Sequence, residues 1–270
     1  MALLEDLANK AKTKNSRILL PESTDPRVIE ASRFISDQNL AQIVLFDEDA
    51  ASSLGVDSIN LKNEDLRLEY AQTLFELRKH KGVSFEAALE MLSSPSVCAR
   101  IALHRSEVDG VVTGAITPSH KVLSSALRII GVSENSNLVS SMFLMVFDED
   151  HNRYGENLIF TDCAMNISPN SDELAEIAFS AYETAQSFLD EEPKLAMLSF
   201  STNQSAKHSE VDKVRQATEM VRSRLPNAQI IGNVQLDAAL DSEVLKIKDP
   251  GSSFSAPAKV FVFPNLDAGT

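Results

Sequence analysis

Short apolar runs alternate with amphipathic stretches along most of this chain, a rhythm of strands and helices. RILLP (17–21) reads as a buried strand stopped by Pro21. DPRVIEASRFISDQ (25–38) follows as a helix, with Asp25 as N-cap and Pro26 at the first helical position. AQIVLFD (41–47) is the second strand. This β-α-β order points to a parallel sheet with right-handed crossovers. Ahead of it, residues 2–14 alternate leucine and charge at helical spacing.

Residues 64–80 and 84–106 have helical periodicity, and VDGVVTGA (108–115) is a strand running into a glycine turn. HKVLSSALRIIG (120–131) is a helix closed by Gly131, and NLVSSMFLMVF (137–147) a strongly apolar strand. The polar, turn-rich DEDHNRYGEN (148–157) is the candidate domain boundary, giving a first α/β domain over 1–147 and a second over 148–270. Beyond it come LIFTD (158–162), a helix over 168–189 with Ser171 as cap, KLAMLSFST (194–202), a helix at 209–224, AQIIGNV (228–234) and a helix near 236–247. VFVF (260–263) reads as one more buried strand and PNLDAG as its turn, where an α/β chain begins its next helix. The sequence stops at Thr270, so the expectation is a strand without a covering helix.

A length of 270 residues suffices for one large core or two modest ones, and 43% apolar with 24% charged residues is ordinary for a globular protein. The formal charge of −14 argues against nucleic acid or an anionic membrane as the main partner. It leaves room for an anionic small molecule in a local basic pocket. Two cysteines, Cys98 and Cys163, imply no disulfide framework, and a reducing cytoplasm is the expected compartment. The N-terminus lacks the apolar core of a signal peptide, and no window approaches the ~18 continuous apolar residues of a membrane span.

Several strand ends carry small or hydroxyl residues: PEST (21–24), TGAITPS (113–119), SFSTNQS (199–205) and PNLDAG (264–269). In open α/β sheets, ligands bind beyond the carboxyl ends of strands, where loops and helix N-termini offer N–H groups to anions. Each stretch alone is equally what turns and caps require. Neither G-x-G-x-x-G nor a P-loop occurs, which disfavours nicotinamide dehydrogenases and ordinary ATPases. ELRKHKG (76–82) is the densest basic cluster, readable as a solvated helix end or as a phosphate site, and Arg27 could reach the same cleft. Cys163 is a possible nucleophile with no base beside it in sequence, so a buried inert thiol is the favoured reading. The five histidines show no ligand spacing, so no metal site is expected.

With LPESTDPRVIEA, ELRKHKG, VDGVVTGA, LVSSMFLMVF, FTDCAMNISPNSDELAEIA, KLAMLSFSTNQSAKHSEVDKVRQA, VQLDAAL, DPGSSFSAPAKVFVF and FPNLDAG in this order, the chain resembles the phosphate acetyltransferase and butyryltransferase family. The resemblance covers essentially the whole chain and is nearest the acetyltransferase branch. It implies two three-layer α/β domains with mostly parallel sheets and an interdomain cleft, an isocitrate dehydrogenase-like architecture usually assembled as a homodimer. The implied reaction moves an acetyl group between acetyl phosphate and the thiol of coenzyme A, by direct thiolate attack in a ternary complex. Coenzyme A is then a substrate, and no tightly bound cofactor is expected.

Residue by residue, the resemblance carries anion binding onto Arg27 and Arg78. Thr113, Gly114, Ser124, Ser201 and Thr202, at the strand ends and on the helix after TGAITPS, complete the candidate substrate-binding set. In many members an arginine stands where this chain has Ser124, and the loss should weaken phosphate or coenzyme binding unless Lys121 or Arg128 substitutes. Asn265 for an aspartate and SSFSAPAK for a more glycine-rich loop are smaller departures. Family members continue past FPNLDAG with a segment carrying the catalytic serine, arginine and aspartate, so no catalytic residue is named within 1–270. The alternative class is a catalytically inactive domain that binds coenzyme A or acetyl phosphate and signals it to a partner.

Overall fold

The computed structural model describes residues 2–133, 136–153, 155–189, 191–203 and 205–270. The chain divides into two compact units, Leu4–Gly131 and Val132–Thr270, the latter with the chain's first residues. The N-terminal unit runs α1 (Ala2–Lys14), β1 (Arg17–Leu20), α2 (Pro26–Asp37), β2 (Gln42–Leu45), α3 (Glu48–Leu54), β3 (Asp57–Ser58), α4 (Glu64–Arg78), α5 (Phe85–Met91), α6 (Pro95–His104), β4 (Gly110–Val111) and α7 (Ser119–Ile129). Its strands form a parallel sheet in the order β3-β2-β1-β4, with Leu19 registered on Val44 and on Val111.

Alternation along the strands sends neighbouring side chains to opposite faces, and helices cover both. Leu19 and Val44 pack with Leu74, Ala88 and Ile101 of α4, α5 and α6. Leu20, Ile43 and Leu45 pack with Ala51 of α3 and with Val28 and Ile29 of α2. The result is three layers, which is why these strands read as continuous apolar runs.

The C-terminal unit repeats the plan with β5 (Phe143–Val146), β6 (Asn157–Thr161), α8 (Ser171–Phe188), β7 (Leu195–Leu198), α9 (Ser209–Arg224), β8 (Ile230–Val234), α10 (Leu236–Leu240), α11 (Ser242–Lys248), β9 (Val260–Val262) and α12 (Leu266–Gly269). The sheet order is β5-β6-β9-β7-β8, parallel except for the antiparallel β5–β6 pair. Ile159, Leu195, Met197, Val260 and Val262 face α8 and α9, while Leu158, Ala196, Leu198 and Phe261 pack with Ala238, Ala239 and Leu245 of α10 and α11.

Several sequence expectations change. VFVF is not left uncovered: β9 lies between β6 and β7, Val260 and Phe261 are fully buried, and the one-turn α12 follows with Asn265 capping it. The strand at 137–147 shrinks to β5 and joins the second sheet, so the polar stretch 148–157 links two paired strands. The helix at 84–106 is two helices, because Pro95 has no N–H to continue the first and instead opens α6. The helix near 236–247 breaks at Asp241, whose carboxylate caps α11. Asn170, not Ser171, caps α8, in a reciprocal capping box with Glu173. The α3 and β3 elements had no counterpart in the periodicity.

Gly232 in β8 shows how tightly the C-terminal core closes. A Cβ there would lie 1.9 Å from Thr218 Oγ1, and Thr218 is buried on α9 with its hydroxyl donating to the Val214 carbonyl at 2.7 Å. Gly232→Ala is expected to cost about 2 kcal/mol or more of stability, as overpacking does. Urea unfolding checks this, and a variant with wild-type stability would contradict it.

Candidate anion-binding site

The turn after β1 and the turn after β4 are tied together by one carboxylate. Glu22 is buried, and its Oε2 accepts from the backbone N–H groups of Gly114 and Ala115, both at 2.8 Å. Its Oε1 accepts from those of Ile116 at 3.2 Å and Thr117 at 2.7 Å. A carboxylate offers about four acceptor positions, so this one is saturated. Burial opposes its ionisation, but the Thr117 side chain and the converging N–H groups outweigh it and hold the acid down at about 2, from an ordinary 4.5. Gly114 has φ +114°, a backbone angle that favours glycine and lets the loop curl around the oxygens.

Arg27 clamps the same loop from outside. Its guanidinium forms a two-point pair with its neighbour Asp25, at 2.7 and 3.0 Å, and donates to the Ala115 carbonyl at 2.8 Å. Arg27's hydrogen bond brings the Asp25 carboxyl down to about 2. Arg27 thus stands at the loop engaged with protein groups.

The clamped loop borders a cavity of about 920 Å³ within the N-terminal unit. Ser23, Thr24, Thr113, Thr117 and Ser124 bring hydroxyls to its wall, and Phe46, Met91, Val97 and Ile129 an apolar side. α7 contributes His120, Lys121 and Arg128. Among the described residues neither Lys121 nor Arg128 is ion-paired to a carboxylate. Helical spacing explains the gathering: 121, 124, 125 and 128 fall on one face of α7. Ser125 meets Ser96 of α6 at 3.2 Å between hydroxyl oxygens, and Thr113 Oγ1 is buried without a partner among the described groups.

The sequence candidates fall into different places. Thr113 and Ser124 line the cavity, and Gly114 belongs to the loop around Glu22. Arg78 ends α4 and donates to the Arg128 carbonyl at 3.4 Å, so it touches the wall through α7. Ser201 and Thr202 belong to the C-terminal unit and are buried. Ser201 meets the Ser205 hydroxyl at 2.7 Å, and Thr202 Oγ1 accepts from the Gln235 N–H at 3.1 Å, so both fix the turn after β7. Glu22 was missed because its four donors lie more than ninety residues away in sequence; an acid directly after the Pro21 strand stop was the available signal.

Cys163 is buried, and burial aided by the neighbouring Asp162 charge pushes its thiol up to about 11. It is a poor thiolate, in line with an inert role. Asp162 mirrors Glu22: it accepts from the N–H groups of Ala164, Met165 and Asn166 at 3.0–3.1 Å and from the Ser141 hydroxyl. No cluster of three His, Cys, Asp or Glu with metal-site spacing occurs among the described residues, and no described helix is long and apolar enough to cross a membrane.

The sequence profile of the family described as phosphate acetyl/butaryl transferase matches residues 2–270. The chain belongs to that family. It is 40% identical over 281 residues to the phosphate acetyltransferase of Clostridium acetobutylicum, covering 100% of this chain and 84% of that one. To the phosphate acetyltransferase of Thermoanaerobacterium thermosaccharolyticum it is 39% identical over 280 residues, with 100% and 84% covered. Among solved structures, the EutD phosphotransacetylase from Staphylococcus aureus superposes with a TM-score of 0.87 at 33% identity, over 99% of this chain and 83% of that one. This two-unit α/β architecture is that of a phosphate acetyl/butyryl transferase.

Removing the Glu22 charge tests the clamp. Glu22→Gln presents an NH₂ to two N–H donors and is expected to lose about 3 kcal/mol or more in urea unfolding at pH 7. A carboxyl with a lowered folded pKa stabilises above its unfolded value and loses that contribution as pH falls through the folded one. The gap between wild type and Glu22→Gln should therefore narrow from pH 4.5 towards about 2. A gap that stays constant over this range would show that the Glu22 charge is not what holds the loop.

Proposed function

We propose that the chain transfers an acetyl group between acetyl phosphate and coenzyme A, and that the cavity of the N-terminal unit holds the phosphoryl end of a substrate. Family membership supplies the reaction. The observation that carries the site is the pair of cavity cations, Lys121 and Arg128, which no carboxylate among the described residues pairs, in a chain of net charge −14. In the direction of acetyl-coenzyme A formation, the coenzyme thiol gives up its proton to a base. Its sulfur attacks the acetyl carbonyl carbon, the new C–S bond forms, and the C–O bond to phosphate breaks as phosphate leaves with the electron pair. Cations and hydroxyl or N–H donors suit both the developing oxyanion and the departing phosphate, provided that they are held in place beforehand.

The cavity volume of about 920 Å³ suits a phosphorylated organic ligand rather than phosphate alone. Its apolar side, Phe46, Met91 and Val97, gives such a ligand's carbon skeleton a surface to cover. Lys121 and Arg128 each stand about one turn from Ser124 on α7, so they supply charge near the position where an arginine is implied. The reading includes a cytoplasmic homodimer.

The test is formation of acetyl-coenzyme A from acetyl phosphate and coenzyme A, followed at the thioester absorbance. Activity in the wild-type chain, with Arg128→Ala raising a substrate KM at least about tenfold, is expected. An active Arg128→Ala variant with unchanged KM for both substrates would remove the cavity from the reading. Binding of coenzyme A with no turnover would favour the ligand-sensing class instead.

The state of Cys163 generates a separate expectation. A thiol held near 11 is protonated at pH 7, so Cys163→Ala should change kcat by less than about twofold. Complete loss of kcat in a variant with native circular dichroism would restore a thioester mechanism.

A further inference from the structure

The wall of the N-terminal cavity carries five titratable side chains: the acids Glu22 and Asp47, the cations Lys121 and Arg128, and His120. Glu22, held at about 2, stays ionised at physiological pH, and its oxygens are committed to the loop. Asp47 caps α3, accepting from the Ala50 N–H at 2.8 Å. With a neutral imidazole, two acids balance two cations on the wall. With an imidazolium, the wall is net positive. No other wall group makes that change near neutrality. α5 and α6 bring Met91, Ser94, Ser96 and Val97, the loop after β4 brings hydroxyls, and Arg100 of α6 is not on the wall. Histidine gains or loses its charge within about pH 5–8, where lysine and arginine stay charged.

His120 is exposed in the first turn of α7, and no acid shares that turn. Residues 120, 124 and 128 follow at spacings of four, one stripe of the helix. Ser124 therefore has an imidazole one turn before it and a guanidinium one turn after, at the position where the resemblance implies an arginine. Among the described residues the His120 ring makes no ion pair and no hydrogen bond, whereas the rings of His151 and His208 each accept from a backbone N–H. We propose that His120 is the proton-dependent anion contact of this cavity. Its imidazolium, beside Lys121 and Arg128, donates to an oxygen of a phosphoryl group, so that binding is coupled to proton uptake. The proton comes from water or buffer to a ring nitrogen and returns there on release. The role rests on the reading of the cavity given above, and it makes anion affinity rise as pH falls.

The experiment is calorimetric titration of the 270-residue chain with sulfate at low ionic strength. Two conditions, about pH 5.5 and about pH 7.5, bracket the change in imidazole charge. Sulfate keeps its double charge over this range, whereas a phosphate group gains its second charge as pH rises and would mask the effect. Wild type is expected to bind sulfate about three- to fivefold tighter at the lower pH, the scale of one partly screened charge pair. His120→Gln should bind at both pH values as wild type does at the higher, and His120→Lys as wild type does at the lower. Because His120 is exposed, both variants should melt as wild type does. His104→Gln, at the end of α6 and off the wall, should keep the wild-type pH dependence. Titration in two buffers of different ionisation enthalpy should show proton uptake in wild type and none in His120→Gln. The proposal is overturned if wild-type affinity does not change with pH, or if His120→Gln keeps the change. Sulfate binding that needs Arg128 but ignores pH would keep the cavity reading and lose this role. Wild type that binds no sulfate at either pH would lose both.

Discussion

The N-terminal unit depends on one carboxylate holding four backbone donors. Loop 114–117 presents four consecutive N–H groups to the interior, and without an acceptor each would cost free energy comparable to a lost hydrogen bond. Glu22 meets all four with charge-assisted bonds, and in doing so sets where α7 begins, at Ser119. That fixes which face of α7 reaches the cavity, and hence where Lys121, Ser124 and Arg128 stand. The C-terminal unit solves the same problem with Asp162 and the loop at 164–166, again just past a strand end. In both units an acid that looks exposed in sequence is an internal template for backbone.

This shapes what counts as an available charge. Arg27 matches a substrate-binding arginine by resemblance, yet it is paired to Asp25 through two nitrogens and also holds the Ala115 carbonyl. An anion arriving there would compete with a carboxylate already in place. Lys121 and Arg128 are ion-paired to no carboxylate among the described residues. The net charge of −14 therefore says little about the cavity, where the two acids of the wall, Glu22 and Asp47, accept from backbone N–H groups and these two cations are not paired with them.

Periodicity made the fold legible wherever burial is two-sided. β1, β2, β7 and β9 are apolar runs because helices cover both faces, and α9 was delimited at Ser209 and Arg224. Errors came where local chemistry overrode period: Pro95 and Asp241 split two helices, and β4 is two residues of a longer apolar stretch. β5 was misplaced because an apolar run does not say which sheet it joins. The hydroxyl-rich turns pointed to Thr113, whereas Ser124 was singled out by the resemblance, as the position of a missing arginine. Glu22 and Arg100 could not be found in that way, since what defines them is a partner far along the chain or the lack of one.

Arg100 nevertheless left a trace. In SVCARIAL (96–103) a cation interrupts an apolar helix, and Arg100 is buried with Ser96 to Ala102 around it. A buried arginine in such a run has to place its donors on a carboxylate or on carbonyls such as that of Ser96, which accepts from Arg100 at 3.2 Å. Glu22, the acid whose charge reaches it, does not serve, because its oxygens are spent on the four N–H groups of the loop. Saturating Glu22 thus has two consequences at once. It makes the loop rigid, and it leaves the Arg100 guanidinium with a carbonyl of its own helix as its hydrogen-bond partner among the described residues.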